Sequence, residues 1–225
     1  MRQWFVLSAE NLASIDAEGR SLVTAARQDP NGAVPQYPGW SLSDLASHVA
    51  SIHGRTVLIC RDLPRERISA PGLPEGLNPI DWCEGTLQEM LAAFTATEPD
   101  TAVWAFGSDQ TLGFWERRMV VETGIHRWDA CQAIGDADRL TDRVAAEGLE
   151  EVGDLWHGWL GEVQTLQVNA TDLGKSWVYG EGDPMASVEG TASELVLALM
   201  QRPSSIELPQ DWAAAVNSLA PPPKR

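Results

Sequence analysis

Apolar residues recur at helical spacing through the first two thirds of the chain. Leu12, Ile15, Leu22 and Val23 predict an amphipathic helix over residues 9–26, with Gly19 its one weak position. Pro30, Gly32, Pro35, Pro38 and Gly39 then make a loop, and Ser41 followed by Asp44 forms a capping box for a second helix. Leu42, Leu45, Val49, Ile52 and Leu58 carry that helix to residue 61. A proline- and glycine-rich loop over 63–79 ends in Asn78-Pro79, where Asn caps and Pro takes the first position of a third helix. Leu87, Met90, Leu91 and Phe94 stripe that helix. The pattern breaks between Pro99 and Gly113, and a fourth helix over 114–133 sets Trp115, Met119, Glu122, Ile125, His126 and Asp129 three or four apart. A fifth helix runs from Thr141 through Leu149, Val152, Leu155, Trp156 and Trp159 to 163.

After residue 163 the period changes. Thr165 to Ala170 alternates, Leu173-Gly174-Lys175 supplies turn chemistry, and Ser176 to Tyr179 reads as the returning strand. Ala186 to Gly190 predicts a third short strand, 192–201 a helix, Ser205 to Leu208 another strand and 211–219 a last helix. Pro221-Pro222-Pro223 reads as an extended tail. The fold class is therefore α+β: residues 1–163 form a helical bundle with a bridging helix, and residues 164–225 a small α+β domain.

Composition narrows the function. The 225 residues are 44% hydrophobic, enough for one large domain or two modest ones. Sixteen Lys+Arg against 32 Asp+Glu give a net charge of −16, with no basic patch. Binding to a nucleic-acid backbone needs local positive charge and is excluded as the main activity. Isolated arginines are then the places where an anionic substrate would be held. The N-terminal apolar run is too short for a signal peptide, and no window approaches a membrane span. Cys60, Cys83 and Cys131 lack disulfide or zinc spacing, which points to the cytoplasm and to buried apolar roles. Most of the ten tryptophans read as packing.

The sharpest local signal is Glu122-Thr123-Gly124-Ile125-His126-Arg127-Trp128-Asp129. Four residues turn a helix by roughly 400°, so Glu122 and His126 project from one face and could both reach one divalent ion. Such pairs build metal sites inside helical bundles. The same spacing also fits a surface ion pair or a hydrogen-bonded core histidine. A third ligand must come from another helix. His48, three after Leu45, points toward the apolar stripe; His53 is its competitor, but the two stand about 140° apart around the axis and cannot bind one ion together, so one of them is on the wrong face. His157 fits an interfacial or exposed position.

Trp40-Ser41-Leu42-Ser43-Asp44-Leu45-Ala46-Ser47-His48, with Trp115-Glu116-Arg117-Arg118-Met119 and the block from Glu122 to Ala130, closely resembles the mycothiol-dependent maleylpyruvate isomerase family. The likeness extends more weakly through Leu140-Thr141-Asp142, Ala145 to Leu149, and Gly190 to Leu195. It implies a DinB-like four-helix bundle that binds a divalent metal, usually zinc, followed by a small domain resembling sterol carrier protein. It places the metal ligands on His48, Glu122 and His126, leaving a fourth position for the actinobacterial thiol mycothiol. For a maleylpyruvate-like acid, the implied chemistry is thiolate addition to the activated double bond, rotation about the resulting single bond, and elimination that regenerates the thiol. The resemblance also implies catalytic roles for Asp129 and Arg202. Asp129 would orient an imidazole or contact thiol or substrate, and it also fits an ion pair with Arg127 or Arg118. Arg202 would present a cation to the cleft between domains, where Met200-Gln201-Arg202-Pro203 replaces the family's more usual glycine-arginine ending. Arg117 and Arg118 fit pairing with nearby acids, and 63–79 fits a substrate loop.

Two rival readings keep the same metal platform. A mycothiol S-transferase for electrophile detoxification would release a stable adduct, and a non-catalytic binding protein would hold an apolar ligand or a partner. The same two-histidine, one-carboxylate set suits ferrous iron as well.

Overall fold

The computed structural model describes residues 2–136, 138–156 and 163–219. It divides into two compact units, one up to Asp138 and the other from Arg139. The first holds α1 (Arg2–Gln28), α2 (Leu42–Asp62), α3 (Pro79–Thr95) and α4 (Leu112–Ala133). α1 packs on α3 and α4, and α2 packs on the same two, which closes a four-helix bundle. α1 begins at Arg2, ahead of the predicted residue 9.

The expected caps set the helix starts. Ser41 accepts from the Asp44 backbone N–H at 3.2 Å while Asp44 accepts from the Ser41 N–H at 2.8 Å, so two orphan donors are satisfied at once. Asn78 Oδ1 accepts from Ile80 N at 2.9 Å, one residue ahead of Pro79 at the first turn of α3. Gly19, a weak helix former, has a packing reason: a β-carbon there would lie 2.6 Å from Leu87 Cδ2 of α3. Ile15, Leu22, Leu45, Val49, Leu87 and Met90 fill the space between the helices.

α4 is buried along most of its length, charged residues included. Arg127 Nε donates to Glu18 Oε2 of α1 at 2.5 Å with both side chains buried. Such a pair is held by mutual compensation, since either charge alone would lose its solvation without recompense. The connections between helices are tied down as well. Val34 N donates to Trp40 O at 3.0 Å beside the Ala33–Ser41 bridge, which folds residues 33–41 into a small hairpin and turns Tyr37 and Trp40 inward. The loop after α2 lies back along that helix, where Ser51 Oγ donates to Pro71 O at 2.6 Å.

The second unit opens on α5 (Asp142–Glu151), which gives way to a π-helical turn over Val152–Trp156. The sequence predicts a regular helix through this stretch. Tyr179 Oη donates to Leu149 O at 2.7 Å, the acceptor that Gly153 would use in an α-helix, and the turn widens there. The rest of the predicted helix, with His157 and Trp159, lies outside the described residues, as does the Pro221–Pro223 tail. The sequence reads this stretch as a helix bridging the bundle and the small domain; in the structure α5 packs on a helix of the second unit, α6 (Ala192–Leu199). A β-carbon on Gly148 would stand 3.0 Å from the Val196 methyls.

Strands β1 (Leu166–Ala170), β2 (Lys175–Tyr179) and β3 (Ala186–Gly190) form a sheet in the order β2-β1-β3. β1 pairs antiparallel with β2, Leu166 opposite Tyr179, and parallel with β3, Leu166 opposite Ala186. Alternation turns Leu166, Val168 and Ala170 into the core. α7 (Gln210–Ser218) brings Trp212 to within 5.8 Å of the Tyr179 ring, centroid to centroid, and Trp212 Nε1 donates to Gln164 O at 2.8 Å. The strand predicted at 205–208 does not form. Glu194 Oε2 accepts from Ser205 N at 2.7 Å and from the Ser204 and Ser205 hydroxyls, which takes the backbone donor a ladder would need. Among the described residues no helix is long and apolar enough to cross a membrane. Cys60, Cys83 and Cys131 are buried free thiols, and burial pushes Cys60 and Cys83 up to about 12.

Candidate metal centre

α2 and α4 bring His48, Glu122 and His126 together, with one donor atom from each lying within 4.8 Å of the others. All three side chains are buried. Glu122 Oε1 stands 3.3 Å from His48 Nε2 and 3.3 Å from His126 Nε2. These separations are long for N–H···O hydrogen bonds, whose usual range ends near about 3.2 Å. They match ligand atoms around one ion: donors about 2.0–2.1 Å from a tetrahedral zinc stand roughly 3.3–3.4 Å apart. Two imidazole nitrogens and one carboxylate oxygen are also a donor set that zinc accepts, so the residues fit a divalent ion with one position left open.

Asp129, one turn beyond His126 on α4 and fully buried, holds His126 Nδ1 at 3.0 Å. An ionised carboxylate only accepts, so Nδ1 carries a proton, and Nε2 is the nitrogen left to take up a metal ion. Glu122 Oε2 accepts from Arg118 Nη2 one turn earlier. Burial pushes Glu122 up, but Arg118 together with His126 and His48 outweighs it and holds the carboxyl well below its ordinary range. His126 is raised: burial pushes it down, and Glu122 and Asp129 more than offset this.

The wall around the imidazoles is aromatic. The Tyr37 ring lies 5.8 Å from that of His126, the Trp40 ring 5.4 Å from that of His48, and the two aromatic rings 4.8 Å from each other. A low-dielectric shell of this kind strengthens every charge interaction inside it. Tyr37 was not singled out on sequence; the available signal was an aromatic residue in a proline-rich loop three before Trp40, in need of somewhere to be buried.

His53 stands apart from the three, as its helical position requires. Its Nε2 meets Thr123 Oγ1 at 3.0 Å, and burial lowers it to about 4, so it is neutral at pH 7. Arg117 pairs with Asp109 at 2.7 Å and Arg118 with Glu122, as the surplus of acids suggested. Arg202 belongs to the second unit, where its Nη1 donates to Met200 O at 2.6 Å.

Residues 12–131 match the family model described as the mycothiol maleylpyruvate isomerase N-terminal domain. Two solved structures share the fold, each covering 90% of this chain and 95% of its own. A crystal structure of a histidine-to-alanine mutant of the mycothiol-dependent maleylpyruvate isomerase has a TM-score of 0.70 at 16% identity. A second crystal structure of the mycothiol-dependent maleylpyruvate isomerase has a TM-score of 0.66 at 17% identity. No curated protein matches the chain.

Proposed function

The chain belongs to the mycothiol maleylpyruvate isomerase N-terminal domain family, and from that membership and the three converging donors we propose that it is a metal-dependent, thiol-using enzyme of the maleylpyruvate isomerase type. The observation that carries the reading is the meeting of His48 Nε2 and His126 Nε2 on one oxygen of Glu122, at equal distances that suit a shared ion. His48, Glu122 and His126 would hold a zinc or similar divalent ion, which would supply the Lewis acidity that keeps the sulfur of mycothiol or another small thiol as thiolate, the form that adds to an activated double bond.

The chain's own residues do the rest. Asp129 keeps the proton on His126 Nδ1 and so keeps Nε2 available as a ligand. Tyr37 and Trp40 close the imidazole side of the site and keep bulk water from it. Arg202 is the candidate cation for a carboxylate of the unsaturated acid, a role its permanent charge suits. Isomerisation then returns the thiol unchanged, whereas transfer to an electrophile would leave a stable thioether; the product separates the two.

Elemental analysis of the purified protein and of His126→Ala tests the reading, followed on the same samples by thiol-dependent turnover of maleylpyruvate and of a model electrophile. The expected result is about one zinc per chain, the stoichiometry of a single three-ligand site, lost in the variant together with thiol-dependent turnover. Equal metal content in both proteins, or none in either, would overturn it.

A further inference from the structure

Each oxygen of the Glu122 carboxylate has a separate task. Oε1 faces both histidine nitrogens at 3.3 Å, while Oε2 is held by Arg118, whose side chain is one-fifth exposed. The spacing of four residues on α4 aims the guanidinium at this oxygen. A carboxylate without such a partner can swing both oxygens onto one ion, as it does at many oxygen-rich metal sites. That swing would fill the position an incoming thiol needs. The ion pair is partly shielded from water, so it is worth more than a surface pair of the same geometry.

We propose that Arg118 is a positioning residue that fixes Glu122 as a one-oxygen ligand and thereby keeps the fourth coordination position open to an exogenous thiol. The proposal rests on the metal reading above. Arg118 touches neither substrate nor ion; it acts through Glu122. Its cation also stands beside the ligand set without joining it, so an anionic sulfur arriving at the open position meets a more positive site than the ion and Glu122 alone would offer.

The test uses cobalt(II) as the probe ion and 2-mercaptoethanol as the probe thiol, on the full-length wild type, Arg118→Met, Arg118→Lys and His126→Ala. Cobalt bound to the wild type should give the intense visible bands of a four-coordinate ion and, with the thiol, a sulfur-to-metal charge-transfer band. Arg118→Met should bind cobalt about 10–100-fold more weakly, the usual consequence of losing a group that supports a ligand. It should also show the weaker bands of higher coordination and little charge-transfer absorption. Arg118→Lys, which keeps the charge but not the fork, should lie between the two. If Arg118→Met fails to fold, the lysine variant decides. Wild-type affinity and wild-type spectra in the folded Arg118 variants would overturn the proposal while His126→Ala, stripped of cobalt, upheld the metal site. Equal cobalt binding by wild type and His126→Ala would overturn the metal reading and this inference with it.

Discussion

The four-helix unit buries Glu18, Glu116, Glu122, Arg127 and Asp129, along with three histidines, while among the described residues of the second unit the buried polar side chains are Glu151, Thr165 and Ser193. Both units start helices on side-chain caps, Ser41 and Asn78 in the bundle and Thr141 and Thr191 in the second. In the second, however, polar groups end helices and hold turns, as Thr191 does for α6 and Glu194 for residues 204–205. In the bundle they sit between helices, where Glu18 of α1 meets Arg127 of α4 and Glu122 of α4 faces His48 of α2. Burying charge in this way costs stability that an apolar core would have kept. Its concentration around one three-donor cluster is what a functional interior looks like, whereas the second unit's economy of buried charge is that of a scaffold.

The contrast breaks most sharply at the Glu18–Arg127 pair. Arg127→Met leaves Glu18 without that partner and should destabilise the bundle by about 3–5 kcal/mol. Hydrogen exchange should report the loss in α1 and α4, with α6 and the sheet less affected. Equal loss of protection in both units would mean that they unfold as one.

Acid should separate the units next. Burial lowers His53 to about 4 from an ordinary 6.5, so between those values the unfolded chain binds a proton that the folded chain refuses. Bundle stability should therefore fall as pH drops from about 6.5 to about 4, by at most ~1.4 kcal/mol per pH unit, and His53→Asn should flatten that window. In the second unit Glu194 is lowered by hydrogen bonds from Ser205 and Ser204. Its contribution is present above the ordinary carboxylate range and is lost only as pH falls through the lower folded value. Equilibrium denaturation against pH, read by local exchange, should show the bundle weakening first.

Smaller effects sharpen the comparison by being equal. Ser41→Ala in the bundle and Thr191→Ala in the second unit each remove a helix cap and should each cost about 1 kcal/mol. Similar shifts in urea midpoint would show that the units differ in buried charge and not in how their helices begin. Smallest is Gln201→Gly. Gln201 has φ 63°, the left-handed conformation that a side chain resists, and glycine should stabilise the second unit by about 0.5–1 kcal/mol.

Gln201 also shows how sequence and structure relate here. Its position follows α6, where the resembled family more often carries glycine before the arginine, and the chain keeps a glycine-like turn with a residue that must be forced into it. What was legible was local: the Ser41–Asp44 box, Asn78-Pro79, the 3.6-residue stripes, and Glu122 with His126 on one helical face. Helical position left His48 and His53 as competitors for the third place, and it was the family resemblance that pointed to His48. What was not legible depends on distant partners. The π-turn at 152–156 answers a hydroxyl on β2, the missing strand at 205–208 answers a carboxylate on α6, and the aromatic wall comes from a loop that reads as mere punctuation. Arg118's partner was within reach of the helical rule, since Glu122 is four residues on, but several acids competed for it on paper.

The Glu18–Arg127 pair has a last consequence, in the order of synthesis. The two residues are 109 positions apart, so at roughly 5–20 residues per second Arg127 is added about 5–20 s after Glu18. Through that interval α1, α2 and α3 emerge with no α4 to lie between them, and Glu18 stays hydrated for want of its cation. Until then the faces of α1 and α2 that pack on α4 have no partner helix, and the bundle closes only when the helix bearing Glu122 and His126 arrives.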